Sequence, residues 1–491
     1  MTLCFGENKS ERADIIVDFS SENRRINKNV FGISTNPTEL ERKWPPIKEA
    51  GFKFIEVNVL VDEKLISIVT ENPQVLNRLP FVKIMDLHLQ KIYEIGAEPM
   101  IWFLYQAKPI KNLEGLAAYT KYIVKHITEG FGDGGKWPVR FFRFGNEPDN
   151  PEYWKGTPEQ FYEMFAVWSK TIKSMNPDFV VIGPGLVSIC ERGTEKILDC
   201  SKANKWTKNF LGYLEKHKRS LDIFTFHAYS PVIYDFFYRQ PLTLYDELKK
   251  YPSLSTLYGI PKMGNDEWNV MVGDEWSGRY NEEFDTVSLA AHNIAALTAM
   301  IEGGVELSIR YGGTDSPGHD YVMVKKDYKN YKHVYYAFKG FNMLSSTPIK
   351  LGVKGSNFLN LTALAGKSEN ENEITIVISS FDISDYLNQY VFKVKKEDAF
   401  KKRLIEEHYN NALKILNIPA PITYNGYRLN IKNLGWKGSD KIEYKLFIVD
   451  EKTNFDLMKN EVIKGGNEVL LSENLTTPSV HVIRIKRLSK N

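Results

Sequence analysis

Residues 139–148 read VRFFRFGNEP, an aromatic run that ends abruptly in Asn-Glu-Pro. Aromatic residues favour β-strands, and the proline ends the run with a rigid turn. A strand that stops at a carboxylate beside an amide is typical of a catalytic acid on the rim of a parallel barrel. Most of the chain can be organised by counting strands outward from this stretch.

Short apolar segments alternate with amphipathic helical runs on both sides of it, which is the signature of βα units and a parallel sheet. The predicted strands are 30–34, 52–59, 98–104, 139–145, 179–183, 222–227, 262–267 and 305–311. The seventh has little apolar content. Eight such units predict a (β/α)8 barrel of the TIM type.

The pattern changes after about Tyr335, where segments alternate with turns and predict an antiparallel β-sandwich around a helical insertion at 396–417. The early apolar segment IIVDF is expected to pair into that sandwich. The predicted domains are an N-terminal strand segment at 1–28, a catalytic barrel at 29–334 and a β-sandwich at 335–491.

The composition is that of a folded, nearly neutral protein. Of 491 residues 43% are hydrophobic, and 64 basic against 61 acidic side chains leave a net charge of +3. Such a balance argues against nucleic-acid and membrane-surface partners. The charged N-terminus shows no signal peptide, so a cytoplasmic protein is expected, or a secreted one if a signal was removed. A homo-oligomer remains open.

Three cysteines, Cys4, Cys190 and Cys200, show no CxxC spacing. This odd and sparse set argues against a disulfide framework and a structural zinc site. Cys190 and Cys200 are close enough to pair, but the expectation is that both are free thiols.

Two glutamates lie where barrel enzymes keep their chemistry, at the carboxyl ends of strands. Glu147 ends the fourth predicted strand and Glu267 the seventh, so the two would face each other. One protonated and one ionised carboxyl group suit glycosidic bond cleavage, which needs neither metal nor organic cofactor. Glu275 repeats the local Asp-Glu-Trp triplet of Glu267 and is the alternative to it.

This arrangement resembles the clan A glycoside hydrolases, and within that clan glycoside hydrolase family 39. The stretch 145–185, the HAY triplet at 227–229 and segments near 334–344 and 427–455 are similar to that family. The resemblance implies that Glu147 is the acid/base and Glu267 the nucleophile. It also implies that Asn146 binds the sugar 2-hydroxyl, that Tyr229 orients the nucleophile, and that His227 lines the pocket.

The chain departs from the family at several positions. Glu56 stands where the family usually has an arginine, and Arg143 where it usually has an acidic residue. We expect a swapped ion pair between them that helps to set the carboxylate pKa values. Gly145 and Tyr311 stand where tryptophans are usual, and Tyr311 is a candidate sugar platform.

The resulting hypothesis is a retaining hydrolase of β-linked oligo- or polysaccharides, similar to β-xylosidases. The alternatives are an endo-glycanase, or an exo-glycosidase for arabinose, galactose or a uronic acid. A catalytically weak carbohydrate-binding barrel is the alternative of another class.

Overall fold

A computed structural model of the chain describes residues 11–21, 24–35, 40–105, 107–192, 198–270, 285–313, 322–325, 327, 329–390, 398–418 and 423–488. Within helices and strands, the side chains of 40–43, 192, 387–390 and 398–402 lie outside this description. In the described part, no helix combines the length and the apolar character needed to cross a membrane.

Eight parallel strands close into a barrel, which confirms the predicted fold. In chain order they are β2 (Gly32–Ile33), β3 (Phe54–Val61), β4 (Glu98–Tyr105), β5 (Phe141–Phe144), β6 (Val180–Leu186), β9 (Ile223–Tyr229), β10 (Lys262–Asn269) and β11 (Val305–Arg310). Each overlaps one predicted strand. The first is much shorter than predicted, because Asn27 caps a single 3-10 turn at Lys28–Val30.

Helices connect these strands and surround the barrel. They are α1 (Leu40–Glu49), α2 (Glu63–Glu71), α3 (Pro80–Glu94), α4 (Leu113–Thr128), α5 (Pro158–Met175), α6 (Lys205–Lys216), α7 (Gln240–Leu248), α8 (Val287–Glu302) and α9 (His333–Phe341). A short hairpin, β7 (Cys190–Arg192) and β8 (Leu198–Ala203), precedes α6. The boundary predicted between 334 and 335 falls within α9.

Two antiparallel-rich sheets form the sandwich. Its strands are β1 (Glu11–Asp18), β12 (Ile349–Lys350), β13 (Gly352–Lys354), β14 (Leu361–Lys367), β15 (Glu373–Ser380), β16 (Tyr424–Lys432), β17 (Lys441–Val449), β18 (Asn454–Lys464), β19 (Glu468–Asn474) and β20 (Ser479–Arg487). The N-terminal strand β1 lies between β13 and β16, so the predicted pairing of the chain's start with the sandwich is confirmed.

The helical insertion predicted at 396–417 is present as α11 (Asp398–Ile415), and a further helix that was not predicted, α10 (Ile383–Tyr390), precedes it. Barrel and sandwich meet across α8, whose small and apolar residues are buried from Val287 to Ile301. The Ser379 hydroxyl of β15 donates a hydrogen bond of 2.7 Å to the Ala291 carbonyl of α8. The sandwich therefore packs on a barrel helix.

One expectation from the sequence is wrong. Cys190 and Cys200 form a disulfide, because the hairpin β7–β8 brings their Cα atoms to 4.8 Å. The aromatic segment after β9 forms a π-helical turn at Tyr234–Arg239. Within it Phe237 is fully buried and Tyr238 stacks on Phe358 at 4.4 Å, so packing accounts for its aromatic character.

Candidate active site

A cavity of about 670 Å³ opens at the carboxyl ends of the barrel strands. Five of the predicted site residues line it: Glu56, Asn146, Glu147, Glu267 and Tyr311. The other three contact these lining residues: Arg143 contacts Glu56, His227 contacts Glu147, and Tyr229 contacts Glu267. The structure therefore brings all eight predicted residues together.

A constrained turn after β5 places the first carboxylate. Gly145 has φ +117°, and a Cβ on it would lie 2.2 Å from the Pro184 carbonyl oxygen. In this backbone conformation only glycine fits at position 145. Glu147 itself has φ +47°, an unfavourable conformation for a residue with a side chain.

Neighbouring groups hold this turn through its backbone. The Trp102 indole donates to the Gly145 carbonyl and the Tyr105 hydroxyl to the Asn146 carbonyl, each at 2.8 Å. The Glu147 amide donates to the Gly185 carbonyl, also at 2.8 Å. These hydrogen bonds offset the backbone strain and fix the position of the Glu147 backbone, from which its side chain extends.

The Glu147 carboxylate is held on both oxygens. His227 Nδ1 lies 2.9 Å from Oε1, and the Asn150 side-chain amide donates to Oε2 at 3.0 Å. Asp149 anchors the following chain by accepting from the Val187 amide at 3.0 Å. Burial raises the pKa of Asp149 to about 6, with a smaller contribution from Glu147.

An irregularity in β10 places the second carboxylate. Along the pairing with β9, Asn265 faces Phe226 and Glu267 faces His227, so one residue of β10 is left over at Asp266. Such a bulge breaks the alternation by which consecutive side chains point to opposite faces. Asp266 and Glu267 can therefore both reach the charged interior of the barrel.

Glu267 and Glu147 stand close together. The Tyr229 hydroxyl donates to Glu267 Oε1 at 2.6 Å, which fixes the orientation of the carboxylate. One carboxylate oxygen of Glu147, one of Glu267 and a ring nitrogen of His227 lie within 4.8 Å of one another. This is near the ~5–5.5 Å separation of the two carboxyl groups in retaining glycosidases.

Behind the two glutamates lies a buried network of charges. Arg143 Nη1 is 2.7 Å from Glu56 Oε2, so the predicted ion pair is present. The same guanidinium reaches Asp266 through Nε at 2.6 Å. Asp266 in turn lies 3.4 Å from His227 Nε2, and its side chain is fully buried. The network thus runs from Glu56 to the acid/base candidate.

Burial and neighbouring charges shift the pKa values in this network. Burial raises the pKa of Glu56 to about 7, against the effect of Arg143. Burial would lower the pKa of His227, but Glu267, Asp266 and Glu147 raise it to about 10. Burial likewise opposes ionisation of Asp266, but Arg143 and His227 hold the pKa of its carboxyl below the usual value.

Asn146 and Tyr311 face the remaining space. The side-chain oxygen of Asn146 is buried and has no hydrogen-bond partner among the described residues. The Tyr311 ring packs edge-on against Tyr229, with ring centroids 6.4 Å apart. Asn146 thus offers a hydrogen-bond acceptor to the cavity, and Tyr311 offers an aromatic surface.

Glu147, His227 and Glu267 also have the composition of a metal site. Both ring nitrogens of His227 already have partners, however: Nδ1 lies 2.9 Å from Glu147 Oε1, and Nε2 lies 3.1 Å from Arg143 Nη2 and 3.4 Å from Asp266 Oδ1. An acid–base cluster accounts for these contacts without an added ligand.

Among the residues that sequence reasoning missed are Asp266 and Asn150, which contact the charged groups of the site, and Trp102 and Tyr105, which hold the turn before Glu147. A bulge is not visible in the alternation of side chains, so nothing marked Asp266 as facing inward. Asn150 could have been found, because an amide three residues after Glu147 is within reach across a turn. Glu275 lies outside the described residues, so its comparison with Glu267 stays open.

The whole chain is similar in structure to solved carbohydrate-active enzymes. A glucosidase from Croceicoccus marinus has 20% identity and a TM-score of 0.74, over 98% of this chain and 100% of that one. A GH39 enzyme from Xanthomonas axonopodis pv. citri has 12% identity and a TM-score of 0.63, over 98% of both chains. A monomeric beta-xylosidase from Caulobacter crescentus CB15 has 13% identity and a TM-score of 0.62, over 97% and 100%.

By sequence alone, no family model and no curated protein matches. At such identities the structural likeness concerns the fold. The chain shares the barrel-and-sandwich fold of these enzymes, and a GH39 enzyme is among the similar structures, in agreement with the family that the sequence resembles.

Proposed function

We propose that the protein is a retaining hydrolase of β-glycosides that works by double displacement. The observation that carries this proposal is the pair Glu147 and Glu267, whose carboxylate oxygens approach within 4.8 Å inside one cavity. A water molecule that attacks directly needs a wider gap, of about 6.5–9.5 Å. The short separation favours direct attack by one carboxylate.

The roles follow from the surroundings. Glu267, oriented by Tyr229, attacks the anomeric carbon while Glu147 gives a proton to the leaving oxygen, and the glycosidic bond breaks. Glu147 then takes a proton from water, whose oxygen displaces Glu267 and releases the sugar. His227 Nδ1, 2.9 Å from Glu147 Oε1, is placed to share a proton with that carboxyl group.

The buried Asn146 oxygen supports a contact with the substrate. It can accept the proton of the sugar 2-hydroxyl, an interaction that strengthens in the transition state. Tyr311 provides an aromatic face for the apolar side of a pyranose.

For the sugar we propose a β-xylosidase-like specificity, as the resemblance indicates. Gly145 and Tyr311, where tryptophans are usual, change the wall around the reacting ring. Glucose, arabinose, galactose and uronic acids therefore belong in the first screen, together with polysaccharides for endo action. A catalytically weak carbohydrate-binding barrel would bind without turnover in the same screen.

The proposal is tested by hydrolysis of aryl glycosides by the parent, Glu147→Gln and Glu267→Gln. We expect turnover by the parent and losses of at least about 10³-fold in both variants, because each removes one of the two carboxyl groups. Absence of hydrolysis of every glycoside by the parent would overturn the enzyme proposal.

Azide distinguishes the two roles. With Glu267→Gly, azide should restore turnover and give a glycosyl azide of inverted configuration, whereas with Glu147→Ala the azide product should keep the configuration. Rescue of Glu275→Gly instead of Glu267→Gly would transfer the nucleophile assignment to Glu275.

A further inference from the structure

The cavity has two chemically different ends. Its charged lining residues, Glu56, Glu147 and Glu267, all belong to the catalytic end. The other end is formed by the carboxyl ends of β3 and β4 and by α3, with Leu60, Leu104 and Ala107 among its lining residues. No lysine or arginine lines the cavity in the described part of the chain.

Helix α3 gives this second end a wall that is apolar except at His88. Phe81, Ile84, Met85 and His88 follow the i, i+3, i+4, i+7 spacing of one helix face, and all four line the cavity. Ile84 is 40% exposed and Leu60 is 37% exposed. Large aliphatic side chains thus stand open to solvent inside the same cavity as the catalytic carboxylates.

A second sugar is a poor match for this wall. The hydroxyls of a sugar need hydrogen-bond partners when they leave water, and aliphatic side chains supply none. An alkyl or aryl group gains from the same contact, because its apolar surface leaves water. A cavity that joins an apolar wall to a polar end is the usual form of a site for an amphipathic small molecule.

We propose that the cavity takes glycosides that carry an alkyl or aryl group beside the reacting sugar, and that Leu60, Phe81 and Ile84 bind that group. This inference rests on the proposed glycosidase function and names its substrate class. The apolar group can belong to the leaving group or be an acyl substituent of the sugar itself, and its chemistry is the same in both cases.

The test compares chain length in two series of compounds built on the sugar that the parent hydrolyses best, or on β-D-glucose if it hydrolyses none. One series is methyl, butyl and octyl β-glycosides; the other is the methyl glycoside carrying acetyl, butanoyl or octanoyl esters. Binding is measured by calorimetry on Glu267→Gln, and kcat/KM on the parent. We expect the association constant and kcat/KM to rise about fourfold for each buried methylene in one of the two series.

A matched pair of variants locates the effect. Ile84→Asn should reduce the octyl or octanoyl gain at least tenfold. Leu87→Asn should change it less than twofold, because Leu87 is 54% exposed on the same helix but does not line the cavity. Both positions are exposed enough for asparagine to be tolerated.

Binding and turnover separate the two proposals. A gain in binding that depends on Ile84, without hydrolysis by the parent, supports the apolar site and contradicts the glycosidase function. Hydrolysis without a chain-length gain in either series overturns the apolar site alone. A gain equally sensitive to Ile84→Asn and Leu87→Asn also overturns it.

Discussion

At the scale of single residues, the site depends on buried charges that balance one another. Arg143 neutralises both Glu56 and Asp266, rather than Glu56 alone as the sequence suggested. A simple exchange of charges between positions 56 and 143 would therefore place a glutamate against Asp266. Removing Arg143 would leave two carboxylates without their cation, which is strongly destabilising in a protein interior.

Glu56→Gln should become more stable relative to the parent as the pH rises. The pKa of Glu56 is about 7 in the folded protein against 4.5 as its ordinary value. The folded state therefore binds more protons than the unfolded state between these pH values, and the parent loses stability as the pH rises through them. The variant lacks this dependence, so we expect a relative gain of about 3 kcal/mol from pH 4.5 to 8.

Unfolding in urea at a series of pH values measures this difference. Glu98→Gln, a change on β4 at the opposite end of the strands, serves as the control. A relative loss of stability of Glu56→Gln with rising pH would mean that Arg143 outweighs burial and that the pKa of Glu56 is lowered.

At the scale of elements, the barrel strands could be predicted because all but the seventh, which has little apolar content, are β-rich segments between helical patterns. In the sandwich, β18 is exposed along nearly its whole length, so no alternation of apolar and polar residues marks it in the sequence. The disulfide was not predicted, because pairing requires the hairpin β7–β8, and two cysteines ten residues apart do not reveal it. Local patterns reveal elements, whereas bulges and hairpin registers arise from pairing.

Gly145→Ala should impair both folding and activity. An added Cβ would meet the Pro184 carbonyl oxygen at 2.2 Å, so the turn that carries Asn146 and Glu147 has to move. A displacement of about 1 Å costs about 10²-fold in activity. We expect a loss of that size in kcat/KM for aryl glycosides, with reduced thermal stability.

Gly259→Ala is the matched control. Gly259 also has a positive φ, +76°, but an added Cβ there would have nothing within 4 Å. It should cost about 1–2 kcal/mol for the backbone conformation and leave the activity unchanged. Equal effects of the two variants would show that backbone strain, and not the contact with Pro184, makes glycine necessary at 145.

At the scale of the whole molecule, the Cys190–Cys200 disulfide cross-links the chain, and it closes a hairpin beside the barrel. The disulfide restricts the unfolded chain, so its removal should lower the free energy of unfolding by about 3 kcal/mol. In denaturant without reductant we expect one reactive thiol, that of Cys4, and three after reduction. The Cys190→Ala/Cys200→Ala variant should unfold at a lower temperature, and three thiols before reduction would contradict the disulfide.

The position of β1 between β13 and β16 has a consequence for how the chain is made. Its parallel partner β16 begins about 400 residues after β1 ends. At ~5–20 residues per second, the ribosome needs about 20–80 s to supply that partner. The barrel strands are complete by Arg310, long before this moment. Among the described strands β1 is therefore made first but is fully paired only late, and its side chains Ile15 and Val17, which are buried in the folded protein, stay exposed to water until its partners are made.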